Sequence, residues 1–411
     1  MNFFRALIHR PFALLWSGQT ASRLGNNLYR IALAWWVLEK TGSAAAMGTV
    51  LIFSSVPMLI FLLVGGVVTD RFPRLRVMWI SDLLSGAVVA VVTLLAATGR
   101  LEVWHVYIAS IVFGLVSAFF FPAATAAIPE ITPNELLTSA NSLNSLSQQM
   151  ASIIGPAIGA SIVALGGTSL AFGLDALSFF ISAACLLPIF RSNPALDQAP
   201  SSSTSAHKGL RSGLHDLHEG YQAVIASPWL WISIVFFAFV NVTEGSPMSV
   251  SLPLLIKNNL HADVGTLGLF TSMSSVGYVI GAIWLGRYTR IRHRGPVAYL
   301  STLVQGAAVA VFGLTTSIPL LAAAAFVGGL CLSVFGLIWI NSLQELVPRK
   351  MLGRVSSIDA LGSFVLLPVG YGVAGWATDL IGAPLVFVIG GVSSMVLVLV
   401  ALTQPAIREL D

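Results

Sequence analysis

The chain has 411 residues, of which 56% are hydrophobic and only 9% charged, with a mean hydropathy of +0.86. A soluble surface carries about 25% charged residues, so a soluble enzyme or scaffold is excluded. The formal net charge of +4 is scattered over many short loops, which argues against nucleic acid as a partner.

Residues Met1 to Arg10 form a short segment broken by Arg5 and Arg10, which reads as a retained amino terminus rather than a signal peptide. Long apolar runs follow at 11–38, 45–69, 77–98, 103–128, 141–165 and 168–190, each near the roughly 20 residues that a membrane-spanning helix needs. Residues 191–226 interrupt the series. Asn193, Pro194, Pro200 and Ser201 to Ser203 read as a flexible linker, and Leu210, Leu214, Leu217, Tyr221, Val224 and Ile225 recur at the spacing of an amphipathic helix on the cytoplasmic surface. Six more runs lie at 228–256, 264–288, 296–315, 318–345, 354–379 and 383–404. The pattern predicts an all-α membrane protein with twelve transmembrane helices: a six-helix bundle over 1–190, a linker over 191–226 and a second bundle over 227–411. A barrel is excluded because its strands would be short and alternating.

Basic residues set the orientation. With the amino terminus inside, sixteen of the 21 Lys and Arg fall on the cytoplasmic side, and only Lys40, Arg100 and Lys257 fall outside. Arg23 and Arg30 lie within the first span. Both termini are therefore expected in the cytoplasm. Cys185 and Cys331 sit singly in apolar runs, so neither a disulfide nor a metal site is expected, and nothing calls for a cofactor.

The two halves repeat. A shift of 216 residues lays Arg71, Arg74 and Arg76 on Arg287, Arg290 and Arg292, and a shift of 215 lays Glu130, Pro133, Gly155 and Gly167 on Glu345, Pro348, Gly370 and Gly382. Parallel repeats of this kind enclose a cavity near the bilayer midplane.

Gly66, Asp70, Arg71, Arg74 and Arg76, spaced G-x-x-x-D-R-x-x-R-x-R between the second and third spans, resemble the loop signature of the major facilitator superfamily. The opening LLWSGQTASRLGNNLYRIALAWWVLEKTGSA and the sequence SDLL at 81–84 look like its macrolide-efflux branch. Gly155-Pro156-Ala157-Ile158-Gly159 is similar to the fifth-span signature of drug/proton antiporters. Three positions depart from these patterns: Ala151 and Ala160 replace glycines, Gly286 stands where Asp70 would repeat, and the fourth span lacks the arginine common in drug/proton antiporters.

The resemblance implies the major facilitator fold and an inner-membrane efflux carrier that moves drug-like or secondary-metabolite compounds by alternating access and exchanges them for protons. It acts as a monomer in the lipid bilayer, with a small molecule as substrate. The alternative is a carrier for a siderophore, a lipid-like molecule or a nutrient, without obligatory proton coupling. No HExxH or Ser/His/Asp set supports a membrane enzyme, and no GxxxxGK[ST] supports ATP as direct energy source.

The residues divide by role. Asp70 is expected to face the positive end of the eleventh span, while the loop arginines bridge to Glu130 or Asp82 as a conformational latch. Gly155, Pro156 and Gly159 are expected to bend the fifth span and to let a neighbour approach closely. A charge at the bilayer centre costs at least ~2.5 to 3.5 kcal/mol unless it meets partners or water, so Arg23, Arg30, Asp175 and Glu244 are candidates for the cavity or for proton coupling. Arg30 and Glu244 are expected to face one another. Asn27, Asn241 and Asn341, with Gln19, Asn26, Tyr278 and Trp339, are candidate cavity amides and aromatics.

Overall fold

The structure, a computed structural model, describes residues 4–192, 219–288, 292–348 and 351–411, without the side chains of residues 63, 67, 70 and 192. Most of the predicted linker therefore lies outside the described residues; its last part, 219–226, is helical. Ten described stretches are long and apolar enough to cross a membrane. One of them, 134–191, contains two helices, and the helix Arg10–Thr41, which carries Arg23, Arg30, Glu39 and Lys40, completes a set of twelve.

In the first half these are α1 (Arg10–Thr41), α2 (Ala44–Arg71), α3 (Arg74–Ala97), α4 (Val103–Ile131), α5 (137–166) and α6 (168–192). In the second half α7 covers 228–259. It begins as the helix Pro228–Val240 and is interrupted by π-helical turns at Asn241–Gly245 and Leu255–Asn259. Then come α8 (Val264–Leu285), α9 (Arg294–Leu314), α10 (Ile318–Leu346), α11 (Leu352–Phe364 and Leu367–Ile381) and α12 (Ala383–Leu402).

The repeat read from the sequence is visible in the backbone. Gly167 ends α5 with φ 76° and ψ 174°, and Gly382 ends α11 with φ 84° and ψ 151°. A side chain rarely tolerates such positive φ, so glycine at both positions lets one helix stop and the next begin without a loop.

By their contacts the described residues form two units. The first takes residues up to Thr41 and from Thr49 to the end of α6, and the second takes Gly42–Gly48 together with the rest. The short first turn of α2 belongs with the second unit because Asp379 accepts bonds from Ser43 Oγ (2.5 Å) and from the Ala44 and Ala45 amides (2.7 and 3.1 Å), capping the free N–H groups of that helix start.

Each unit has its own core. In the first, Phe12, Leu15, Leu75, Met78, Leu143 and Leu186 are buried together; in the second, Phe236, Tyr299, Phe335, Ile338 and Val398 are. Large apolar side chains such as Leu94, Ile108, Ile283 and Leu399 are exposed instead. Apolar groups facing outward around polar ones facing inward is the arrangement that lipid favours.

Candidate functional site

The polar residues of α1 recur at helical spacing: Gln19, Ser22 and Arg23, Asn26 and Asn27, then Arg30. Residues three and four apart lie on one face, so the helix turns a polar stripe toward a cavity of about 730 Å³ inside the first unit. The α4 stripe Phe113, Phe120, Phe121 and Ile128 supplies an apolar wall, and Tyr29 and Phe179 add rings from α1 and α6. A third wall comes from α5 through Asn141, Asn144 and Gln148.

Arg23 ties α1 to α5. Its Nη1 donates to the Asn144 carbonyl (3.2 Å) and Ser147 Oγ (3.0 Å), and its Nη2 to Asn144 Oδ1 (2.7 Å). All three acceptors are neutral, so its charge is held in place without being cancelled. Asn27 Nδ2 donates to the Arg23 carbonyl at 2.8 Å. Arg30 lies further along the stripe, exposed on the cavity wall.

Asp82 borders this cavity from α3. It was expected near the loop arginines, and the structure corrects that placement. Gln19 Nε2 donates to Ser182 Oγ (3.0 Å), which donates to Asp82 Oδ2 (2.6 Å), giving a chain of amide, hydroxyl and carboxylate across α1, α6 and α3. Of the two acidic partners offered to the arginines, only Glu130 is used: Arg74 Nη1 stands 3.3 Å from Glu130 Oε2. Arg71 and Arg76 are exposed, and the Asp70 side chain lies outside the described residues. At Gly66 a Cβ would meet nothing within 4 Å, so no close packing demands that glycine.

Gly155 and Gly159 are packing positions. A Cβ on Gly155 would come within 2.6 Å of Asn27 Cβ, and one on Gly159 within 3.2 Å of Leu28 Cα. Between Leu137 and Ser192 only Gly167 departs from helical torsions, so α5 runs through Pro156 and the small residues let α1 approach.

Asp175 is fully buried where α6 meets α1. Ser178 Oγ donates to its carbonyl (2.8 Å), and a Cβ on Gly25 would come within 2.7 Å of Asp175 Oδ1. Its Oδ2 has no hydrogen-bond partner. It does not line the described cavity.

Glu244 is the corresponding buried carboxylate of the second unit, 2% exposed and set in the first π-helical turn of α7. Ser394 Oγ of α12 donates to its Oε1, Gln305 of α9 stands beside it, and Oε2 has no partner. Both of these neighbours are neutral groups of its own unit. A Cβ on Gly306 would stand 3.0 Å from the Gly391 carbonyl and 3.3 Å from Glu244 Oε1, so glycine there lets α9 and α12 close over the carboxylate.

The remaining candidates hold helices together or are exposed. Asn241 Nδ2 donates to the Ser363 carbonyl (2.9 Å), Trp339 Nε1 donates to Asp359 Oδ2 (3.0 Å), and Asn341 is exposed on α10. Reading the sequence missed Asn141, Asn144, Ser147 and Gln148. Their spacing in an otherwise apolar span is the same helical stripe that marked α1. Among the described residues no group of three His, Cys, Asp or Glu is placed to hold a metal ion.

Residues 2–316 match the family model described as Transmembrane secretion effector, and residues 234–409 match that of the Major Facilitator Superfamily. Among curated proteins the chain is similar to macrolide efflux protein A of Streptococcus pyogenes, with 24% identity over 97% of each chain. It is also similar to the multidrug efflux pump Tap of Mycolicibacterium fortuitum, at 26% identity over 98% of this chain and 97% of that protein. The enterobactin exporter EntS of Shigella boydii serotype 18 is 26% identical over 90% of this chain and 88% of the exporter. Among solved structures, a bacterial homologue of the iron transporter ferroportin in its inward-facing state superposes with a TM-score of 0.75 at 14% identity, covering 96% of this chain and 99% of that one. A POT family transporter bound to 5-aminolevulinic acid gives 0.71 at 13%, covering 96% of each chain.

Proposed function

The chain belongs to the major facilitator superfamily, within its transmembrane secretion effectors, and on that premise we propose that it is a proton-driven exporter of amphiphilic small molecules. It works as a monomer in the cell inner membrane, with both termini cytoplasmic and its two six-helix units alternating access. The full-length similarity to proteins named as macrolide, multidrug and enterobactin exporters supports the direction. The first unit's cavity, with rings on one wall and amides and guanidiniums on the others, suits cargo that is part apolar and part polar.

The observation that carries proton coupling is Glu244. An ionisable group at membrane depth is costly and points to function by default, π-turns inside α-helices frequently mark functional sites, and this carboxylate combines both with an unpartnered Oε2. Taking up and releasing a proton there changes the charge of the seam among α7, α9 and α12, which biases a two-state equilibrium. Arg74 and Glu130 act as a cytoplasmic latch on the same motion.

The test is uptake of a labelled amphiphile into inside-out vesicles. Accumulation should collapse with a protonophore, and Glu244→Gln should lose uphill accumulation while keeping downhill exchange. Accumulation that ignores the protonophore would remove the proton from the mechanism, and full coupled accumulation by Glu244→Gln would remove Glu244.

A further inference from the structure

We propose that the cavity of the first unit selects aromatic amphiphiles bearing a carboxylate or similar oxyanion, with Arg30 as the anion's principal anchor and Arg23 as its support. The proposal rests on the export reading and names the cargo class that this wall is built to hold.

Charge and hydrogen-bond valence carry the argument. Arg30 is exposed on the cavity wall and has no hydrogen-bond or ion-pair partner among the described contacts. A guanidinium offers five N–H donors and no acceptor, and at this depth its charge needs a counterion or water. Arg23, one turn and three residues earlier, gives three of its donors to neutral oxygens and keeps its full charge. Asp82, the one acidic residue among the described residues that border the cavity, is 1% exposed and accepts from Ser182 at 2.6 Å. The wall therefore holds two cations that it does not itself neutralise.

The amides strengthen the case. Asn26, Asn141 and Gln148 line the same space without a described partner, adding N–H donors beside the guanidinium. The Phe113, Phe120 and Phe121 rings line the same cavity. An arginine fork matches a planar carboxylate with two parallel bonds, and the rings cover an aromatic body. A cationic amphiphile would instead place its charge against Arg30 and Arg23, with Asp82 already engaged.

The experiment uses the full-length chain in lipid nanodiscs and three fluorescent probes that share one body: 1-pyrenebutyrate, its methyl ester and 1-pyrenebutylamine. The butyrate should bind at least about tenfold more tightly than the amine. Arg30→Gln should weaken butyrate about tenfold, leave the ester unchanged and narrow the gap to the amine, whereas Arg30→Lys should recover part of the loss. Arg100→Gln, outside the cavity, should change nothing. Equal or tighter binding of the amine would overturn the proposal, as would equal loss of acid and ester in Arg30→Gln, or no butyrate binding at all. Arg30→Lys and a size-exclusion profile separate a misfolded variant from a lost anchor. The same probes in proteoliposomes separate the two readings. Acid-selective binding without proton-driven movement would sink the export reading and leave this one standing, while movement without acid preference would sink only this one.

Discussion

The two units each bury a carboxylate beside a serine and a glutamine, drawn from their first, third and sixth helices, but they deal the parts differently. In the first unit the carboxylate is on the third helix and the amide on the first, linked in a chain from Gln19 through Ser182 to Asp82. In the second the carboxylate is on the first helix and the amide on the third, and Ser394 bonds directly to Glu244 with Gln305 beside it. Asp82 borders a cavity; Glu244 borders none of the described ones and keeps Oε2 unpartnered. The same three side-chain types therefore border a cavity in one unit and stay buried away from the described cavities in the other.

The largest expected effect tests that division directly. Glu244→Gln should abolish uphill transport, because the amide carries no proton through the cycle. Asp82→Asn should keep uphill transport and alter KM, because it changes only the wall beside the cargo. Proton flux and substrate flux measured on both variants decide the matter: loss of coupling in Asp82→Asn with coupling intact in Glu244→Gln would move the proton site to the first unit.

A smaller effect is expected at Arg23, which belongs to the wall but also joins α1 to α5. Hydrogen bonds to charged groups contribute about 1.5 to 3 kcal/mol each when both partners are present. Arg23→Gln should therefore lower the thermal midpoint of the detergent-solubilised protein by several degrees. Asn144→Ala removes only the 2.7 Å bond to Oδ1 and keeps the backbone acceptor, so it should cost less. The double variant should show a coupling of about 0.5 to 3 kcal/mol. Additive losses would mean that Arg23 is held by something other than Asn144.

Much of the architecture was legible in the sequence because lipid imposes long apolar runs and leaves few alternatives for the backbone. The 215-residue shift lays Gly167 on Gly382, and the two share a positive-φ backbone conformation. The polar stripe of α1 was legible for the same reason, since Arg23 and Arg30 stand out in an apolar span. Asp82 was misplaced because chain proximity to Arg74 and Arg76 suggested a bridge, whereas a helix of eight further residues carries the side chain away from the loop and toward Ser182. Glu244 was matched to Arg30 because the first and seventh spans are equivalent in the repeat and the two charges are opposite. Nothing in the order of residues announced that Ser394 and Gln305, far along the chain, would reach it, nor that a π-turn would set it among them. Gly155 and Gly159 allowed both bending and close approach from sequence, and the positions of Asn27 and Leu28 show the close approach.

The smallest effect concerns the loop ion pairs, where the units again use different parts for one task. Glu130 and Glu345 occupy equivalent places, yet Arg74 meets the first at 3.3 Å while Arg294 meets the second at 2.5 Å. Both side chains of the first pair are about a quarter exposed or less, whereas Glu345 is 58% exposed. Water and salt screen the second pair more, and exposed pairs typically contribute under about 1 kcal/mol. Neutralising Glu345 should thus leave the thermal midpoint within error at physiological salt. Arg74→Gln should lower it slightly and, if the pair acts as a latch, should change the transport rate by more than its effect on stability. Equal small effects on rate and stability in both units would reduce the Arg74–Glu130 pair to a determinant of orientation, since charge on the cytoplasmic side alone satisfies that role.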